Sequence, residues 1–205
     1  MILKKILTIL GFSIFLILLL NGAFQAGFER WDEQTNIEVV KDTIQGQSIF
    51  LKLNDENFFE KPPLFYYLSI IISPLTGIEN SGRFVSVISA LGIVFLLFIL
   101  IKKNVSFSKA IVFLYLILLI PQLYFVNPAG YFASHTFSSF DLDTLQIFFI
   151  VLSFFLIFIS EKLTTKNIYL SYLSLSLGFL TKGPFVFIPL LINSFYIFKQ
   201  KRVKE

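Results

Sequence analysis

The chain has no cysteine, a single histidine and a single tryptophan, and charged residues make up only 15% of its 205 residues. Without cysteine there can be no disulfide bond, no thiolate nucleophile and no zinc–thiolate site. Soluble domains are about a quarter charged, so the low charge argues against an ordinary soluble protein. The one histidine, His135, is of a kind that is more often structural or solvated than a ligand, and we assign it no role.

Apolar sequence takes the place of the missing charge. Hydrophobic residues make up 56% of the chain, with 27 phenylalanines, and the mean hydropathy is +0.79. They occur in blocks long enough to cross a bilayer, which predicts an all-α polytopic membrane protein. The basic pI does not indicate nucleic-acid binding, because the lysines lie at the ends of apolar blocks, as membrane topology requires. No repeat or low-complexity linker divides the chain, so we expect one membrane-embedded domain over residues 1–205.

Six apolar blocks are predicted to span the membrane: residues 6–20, 84–101, 110–126, 144–160, 168–180 and 184–198. The first follows Lys4 and Lys5 and ends in a poor cleavage site, so we interpret it as a retained span rather than a signal peptide. Residues 64–73 form a further apolar block between Pro63 and Pro74. At about 1.5 Å per residue it is too short for a hydrocarbon core of about 30 Å, and we expect it to lie in the interface.

The positive-inside rule supports this arrangement. One face of the membrane receives the lysines at both ends of the chain and between the spans, and the other receives nearly every carboxylate. Both termini are therefore predicted to be cytoplasmic, and the first outer loop covers about residues 22–82. If the block 64–73 crossed the membrane, Lys102 and Lys103 would fall outside.

The first outer loop is predicted to carry a short surface helix. Asp32 is its expected N-cap with Glu33 beside it, and Gly46 is the expected C-cap. The helix dipole favours negative charge at that start. An apolar stripe at helical spacing marks the inner face: Ile37, Val40 and Ile44. A solvated acidic loop between two anchors would show the same charges, so charge alone leaves both readings open.

The polar residues that cytoplasmic anchoring does not explain all fall on the outer face: Asp32, Glu33, Lys61, Arg83, Asp143 and Lys182. Arg83 and Lys182 lie at apolar boundaries, where an unpaired charge is costly and usually has a partner or a function. Cations together with carboxylates suit group transfer on an anionic lipid headgroup, since cations hold phosphate and a carboxylate takes the acceptor's proton. A helix cap for Asp32 and Glu33, and a plain turn for Lys182, are the structural alternatives.

Five motifs occur in an order that resembles the amino-terminal half of GT-C membrane glycosyltransferases: RWDE (30–33), FFEKPPLFYYL (58–68), GR (82–83), DTLQIFF (143–149) and LGFLTKGPF (177–185). They are most similar to the branch of the lipid A aminoarabinose transferase, akin to protein O-mannosyltransferases. The resemblance implies a polyprenyl-phosphate sugar donor, periplasmic juxtamembrane helices, and inverting transfer at the periplasmic face of the bacterial inner membrane.

By position, the resemblance implies that Asp32 is the catalytic carboxylate, with Glu33 beside it. Lys61 and Lys182 are the implied holders of the donor phosphate. Arg83 and Asp143 match two further family positions. For the second acid, Asp141 is an alternative to Asp143.

Family members continue through several more spans and usually a soluble domain, so their carboxy-terminal part is expected to be absent here. We expect one of three alternatives: the chain is a truncated product, one part of a split enzyme with a second polypeptide, or a degenerate copy. A non-catalytic membrane subunit that binds lipid or a partner is the alternative from a different class. Membrane lipids are expected contacts and no nucleic acid is. No metal site is predicted, and the sequence leaves the sugar, the acceptor and the involvement of a divalent metal open.

Overall fold

The structure, a computed structural model, describes residues 2–25, 31–125, 136–159 and 163–202. Within those ranges it consists of eight α-helices, two short 3-10 turns and one small hairpin. The helices are α1 (Ile2–Gln25), α2 (Trp31–Gln45), α3 (Leu64–Thr76), α4 (Ile78–Asn104), α5 (Phe107–Leu118), α6 (Leu142–Phe158), α7 (Thr165–Lys182) and α8 (Phe187–Arg202). The 3-10 turns are Pro121–Leu123 and Pro184–Val186. The predicted all-α membrane fold is confirmed.

The hairpin between α2 and α3 was not predicted. Its antiparallel strands are β1 (Lys52–Leu53) and β2 (Glu56–Asn57). The turn between them places Asn54 and Asp55 at positive φ, a conformation that these two residue types tolerate better than most. The Lys52 amide donates to Thr43 Oγ1 and the Asn54 amide donates to Asp42 Oδ2, both on α2. The hairpin is therefore fixed to α2.

Two helices are long and apolar enough to cross a membrane by length and composition, Ile2–Phe24 and Ile78–Asn104. Three more are apolar but shorter: Leu64–Thr76, Phe107–Leu118 and Leu142–Phe158. The count of six spans therefore stays a prediction. The helix α5 is shorter than the predicted span 110–126, because Pro121 lacks the amide that a continuing helix needs.

Pro74 does not end α3, contrary to the expectation for residues 64–73. The helix continues to Thr76 and ends at Gly77, whose φ of 80° favours glycine. A proline inside a helix leaves the carbonyl four residues earlier without its usual donor. Here the Ser73 hydroxyl donates to that carbonyl, Ile70 O, at 2.8 Å, so the helix passes through the proline.

Helix α4 lies at the centre, between two hydrophobic clusters. One cluster joins α4 to α2, α3, α6 and the hairpin, and its buried members include Val40, Phe65 and Phe140. The other joins α4 to α1 and α5, and includes Phe15 and Leu114. The Phe140 ring packs directly on Gly82, where any side chain would overlap it.

The charged residues lie at two opposite ends of the helices. At the first, which we call the lysine-rich end, Lys4 Nζ donates to Ser108 Oγ at 2.9 Å and Lys103 Nζ donates to Ile159 O. These contacts join the start of α1 to the start of α5, and the end of α4 to the end of α6. The other end carries Glu33, Arg83 and Lys182, and we call it the ion-pair end.

This division predicts the orientation of the chain. Because lysines next to spans remain in the cytoplasm, an impermeant maleimide added to intact cells should label Asn57→Cys, at the ion-pair end, and not Asn104→Cys, at the lysine-rich end. Both positions are exposed and the chain has no cysteine of its own. Permeabilised cells, in which both variants should react, are the control. Labelling of Asn104→Cys alone in intact cells would reverse the predicted orientation.

Candidate functional site

A buried ion pair between Glu33 and Arg83 lies at the centre of the ion-pair end. Arg83 Nε and Nη2 donate to Glu33 Oε1 and Oε2 at 3.3 and 3.2 Å, and both side chains are buried. Arg83 Nη1 also donates to Ala23 O at 3.1 Å, and the Phe140 amide donates to Glu33 Oε1 at 2.6 Å. One side-chain pair thus connects α1, α2, α4 and the segment before α6.

Asp32, one residue earlier, has a different environment. It lies in the first turn of α2, which begins at Trp31, and is not the N-cap that was expected. Its side chain is 57% exposed, and its Oδ1 is 3.3 Å from Lys61 Nζ. An ion pair at such exposure is weak, with a free energy of about 0–1 kcal/mol. Either partner can therefore exchange the other for a ligand at little cost.

Asn36 and Tyr66 are part of the same site, and the sequence analysis missed both. Asn36 Oδ1 accepts hydrogen bonds from Tyr66 Oη at 2.7 Å and from Lys61 Nζ at 3.4 Å. Asn36 Nδ2 donates to Phe140 O at 3.0 Å. Both side chains are fully buried. Position 36 lies one helical turn after positions 32 and 33, and that spacing is the signal that could have found Asn36.

The Tyr66 hydroxyl acts as a donor in this network. Burial raises the pKa of Tyr66 far above its usual value, and the negative charges of Asp141, Asp32 and Glu60 raise that pKa further. The phenol therefore stays protonated and keeps its hydrogen bond to Asn36.

A second ion pair lies where α6 begins and α7 ends. Lys182 Nζ is 2.6 Å from Asp143 Oδ1 and 3.9 Å from Asp141 Oδ1. Asp141 is the N-cap of α6, and its Oδ1 accepts from the Leu142 amide. The sequence left open which of the two acids matches the family position, and the structure places both beside Lys182.

The turn that holds Lys182 is fixed from α6. Gly183 ends α7 with a φ of 95°, and Pro184 follows it. Gln146 Nε2 donates to Gly178 O at 3.4 Å and to Gly183 O at 3.3 Å. Gln146 was not among the predicted site residues. It anchors the end of α7 to the first turns of α6, and so sets the position of Lys182 relative to Asp143.

Residues 136–141 join the two ion pairs. The Phe140 amide and carbonyl are bound by Glu33 and Asn36, and the next residue, Asp141, lies beside Lys182. Ser86 on α4 donates to Asp141 O. The structure therefore brings all six predicted residues to one end of the molecule, in two linked sets: Asp32, Glu33, Lys61, Arg83, Asp143 and Lys182.

An apolar groove begins at the second ion pair and runs between α6 and α8. Its volume is about 450 Å³, with Asp143 and Gln146 at one end. The rest of its lining is apolar and includes Ile150, Phe154 and Ile188. The groove is therefore apolar along its length and polar where it meets the second ion pair.

In the parts of the chain that the structure describes, no group of three or more His, Cys, Asp or Glu side chains is arranged to hold a metal ion. His135 lies outside those parts.

No family model matches the sequence, and no curated protein matches it. Among solved structures, the fold is similar to the crystal structure of ArnT from Cupriavidus metallidurans bound to undecaprenyl phosphate, with a TM-score of 0.70 and 16% sequence identity. The match covers 88% of this chain and 33% of that one, so the chain spans about a third of its length. The similarity is one of fold, and it supports the all-α membrane fold that the sequence predicted.

Glu33→Gln is predicted to destabilise the protein, because it removes the negative charge that pairs with the buried Arg83 guanidinium. Breaking a buried pair from one side costs about 3–5 kcal/mol of unfolding free energy. Thermal unfolding in detergent, followed by circular dichroism, measures the effect.

Glu38→Gln is the matched control, since Glu38 is an exposed acid on the same helix, and it should leave the midpoint almost unchanged. The double variant Glu33→Leu with Arg83→Leu should lose less stability than Glu33→Gln, because it removes both charges of the buried pair together. An unchanged midpoint for Glu33→Gln would contradict this account of the ion pair.

Proposed function

We propose that the chain is part of a GT-C glycosyltransferase that moves a sugar from a polyprenyl-phosphate donor to a hydroxyl of a lipid, glycan or protein, at the periplasmic face of the bacterial inner membrane. The observation that carries the proposal is the Asp32–Lys61 pair: an exposed carboxylate 3.3 Å from an ammonium, on a fold similar to that of ArnT bound to undecaprenyl phosphate.

Asp32 is proposed as the base. The acceptor hydroxyl oxygen attacks the anomeric carbon of the sugar, the bond from that carbon to the phosphate oxygen breaks, and the hydroxyl proton passes to the Asp32 carboxylate. The attack from the opposite side inverts the anomeric centre. A base must reach the acceptor oxygen, and of the two adjacent acids only Asp32 is exposed, since Glu33 is buried against Arg83.

Lys61 and Lys182 are proposed to hold the donor phosphate. Charge-assisted hydrogen bonds from ammonium to phosphate are stronger than neutral ones, and the negative charge that develops on the leaving phosphate strengthens them further. Lys61 is 27% exposed and Lys182 is 32% exposed, so both ammonium groups are within reach of a ligand. A phosphate at Lys182 displaces Asp143 from it, and Asp143 then faces the rest of the donor.

The groove between α6 and α8 is proposed to hold the first part of the polyprenyl chain. The apolar lining from Ile147 to Phe154 continues inward from the Lys182–Asp143 pair. These eight residues of helix cover about 12 Å at about 1.5 Å per residue, so the groove holds only the start of such a chain.

A donor cavity needs walls that exclude water and orient the reacting groups. Because this chain spans only about a third of the length of ArnT, we propose that further polypeptide, in the same or a second chain, completes those walls. The 205 residues alone should then bind the donor weakly and transfer little or no sugar.

A non-catalytic lipid-binding subunit is the second candidate function. The observation that favours it is that each lysine of the site already has a carboxylate partner, Asp32 for Lys61 and Asp143 for Lys182. The charge of each lysine is thus balanced by a carboxylate, and these pairs can form in a protein that catalyses no reaction. The effect of replacing Asp32 distinguishes the two functions.

Asp32→Asn is predicted to lower the rate of sugar transfer about 10²–10⁴-fold in the active assembly, because the base is lost. Binding of the polyprenyl-phosphate donor should persist, because Lys61 is retained and loses a competing carboxylate. Glu38→Gln is the control for loss of an acid on α2. Transfer at the normal rate by Asp32→Asn would exclude the assigned base and favour the non-catalytic function.

Lys61→Gln is predicted to weaken binding of undecaprenyl phosphate severalfold, and the loss should be larger at low salt, where charge interactions are less screened. Lys182→Gln should act in the same direction. Binding to the purified chain in detergent micelles is the measurement. Lys41→Gln is the control, since Lys41 is an exposed lysine on α2 outside the site. Equal losses in all three variants would show non-specific attraction only.

A further inference from the structure

The segment between α2 and α3 exposes large apolar side chains close to the candidate site. Three of them flank the hairpin: Ile49, Phe50 and Phe59. Ile49 is 83% exposed and Phe59 is 78% exposed. Phe59 is two residues before Lys61. A cluster of exposed apolar side chains rimmed by polar residues can mark an interaction site.

Helix α3 continues this surface. Its exposed side is a stripe at i, i+4 and i+8, formed by Tyr67, Ile71 and Leu75, and Leu75 is 87% exposed. The opposite side packs into the core through Phe65 and Tyr66. The Tyr67 hydroxyl donates to Ile49 O at 2.7 Å, which joins the stripe to the hairpin. We call these six residues the apolar wedge: Ile49, Phe50, Phe59, Tyr67, Ile71 and Leu75.

The hairpin is apolar at its base and polar at its tip. Asn54, Asp55, Glu56 and Asn57 form the tip and are all exposed. The hydrogen bond from the Asn54 amide to Asp42 fixes the tip to α2. Water is unfavourable for the apolar base, and hydrocarbon is unfavourable for the polar tip. The hairpin therefore suits a boundary between hydrocarbon and water.

The occupant of the wedge follows from its position. Helix α3 packs along α4, whose outer face exposes Ile88 and Phe95 on a helix long enough to span the membrane. Helix α3 thus packs against a helix that exposes apolar side chains of its own. Thirteen residues of helix cover about 20 Å, short of a hydrocarbon core of about 30 Å. A helix of this kind lies in the interface with its apolar side among the acyl chains.

We propose that the apolar wedge inserts into the outer acyl-chain region of the leaflet at the ion-pair end, and so holds Lys61 at the depth of the lipid phosphates. The second part rests on the proposed function. With Phe59 anchored among the acyl chains, Lys61 can bind the phosphate of a lipid that stays at its normal depth in the membrane. The hairpin tip remains in water.

Nitroxide labels on single cysteines test the insertion in the full chain reconstituted in phosphatidylcholine–phosphatidylglycerol vesicles. Labels at Phe50, Phe59 and Ile71 should collide more with dissolved oxygen than with a water-soluble nickel chelate. A label at Phe95 is the lipid-facing control, and a label at Asn57, on the tip, should show the opposite preference.

Wedge labels that behave like the label at Asn57 would overturn the insertion. Wedge labels protected from both reagents would also overturn it, since a second copy or another polypeptide would then cover the surface. If a cysteine variant does not fold, a single tryptophan at the same position in a Trp31→Phe background, quenched by brominated lipids, gives the same readout. Circular dichroism verifies the helix content of every variant.

Phe59→Glu and Phe59→Leu test the depth of Lys61. In vesicles that contain undecaprenyl phosphate, Phe59→Glu should weaken binding severalfold and Phe59→Leu should not. In detergent micelles, where no leaflet sets the depth, both should bind like the unchanged chain. Equal binding by Phe59→Glu in vesicles would overturn the link to Lys61. If the unchanged chain binds no undecaprenyl phosphate, the proposed function fails, while the label accessibilities still decide the insertion.

Discussion

The buried Glu33–Arg83 ion pair is the interaction on which the rest of the site depends. Removing two charges from water is costly, and good geometry together with further hydrogen bonds must offset that cost. Here the guanidinium makes two bonds to the carboxylate and one to Ala23 O, and the carboxylate also accepts from Phe140. Consecutive residues in a helix point about 100° apart. The burial of Glu33 therefore turns Asp32 towards solvent and Lys61.

The same pair positions the second half of the site. Glu33 and Asn36, three residues apart on α2, bind the amide and the carbonyl of Phe140. That double contact fixes the start of α6, and with it Asp141 and Asp143. Lys182 reaches both acids because Gln146 anchors the end of α7 to α6. The Asp32–Lys61 and Asp143–Lys182 pairs are thus linked through backbone bonds and buried amides, although their own charges are exposed.

The sequence predicted those parts of the fold that local chemistry decides. Apolar blocks and flanking lysines indicated the membrane fold and its two charged ends, and a cluster of acids indicated the start of α2. It did not reveal Asn36 and Tyr66, because their roles come from contacts with residues far along the chain. The passage of α3 through Pro74 depends on one serine hydroxyl, and the hairpin strands are two residues long. Neither the continued helix nor the short hairpin gives a periodic pattern in the sequence. The charge pattern and the motif order predicted which charged residues would lie on the same face, but not which of them would pair or be buried.

Burial divides the ion pairs of the site into two kinds, and this division bears on function. Glu33 and Arg83 cannot exchange partners, because a change at either one would leave the other charged in the core. In the other two pairs, each side chain is at least a quarter exposed: Asp32 with Lys61, and Asp143 with Lys182. Water or a phosphate can therefore replace one partner of such a pair at a small cost in free energy. A site for an anionic lipid needs both kinds: a rigid pair that fixes the geometry, and loose pairs whose cations become available when the ligand arrives. Apolar anchors beside Lys61 would then decide the depth at which that exchange takes place.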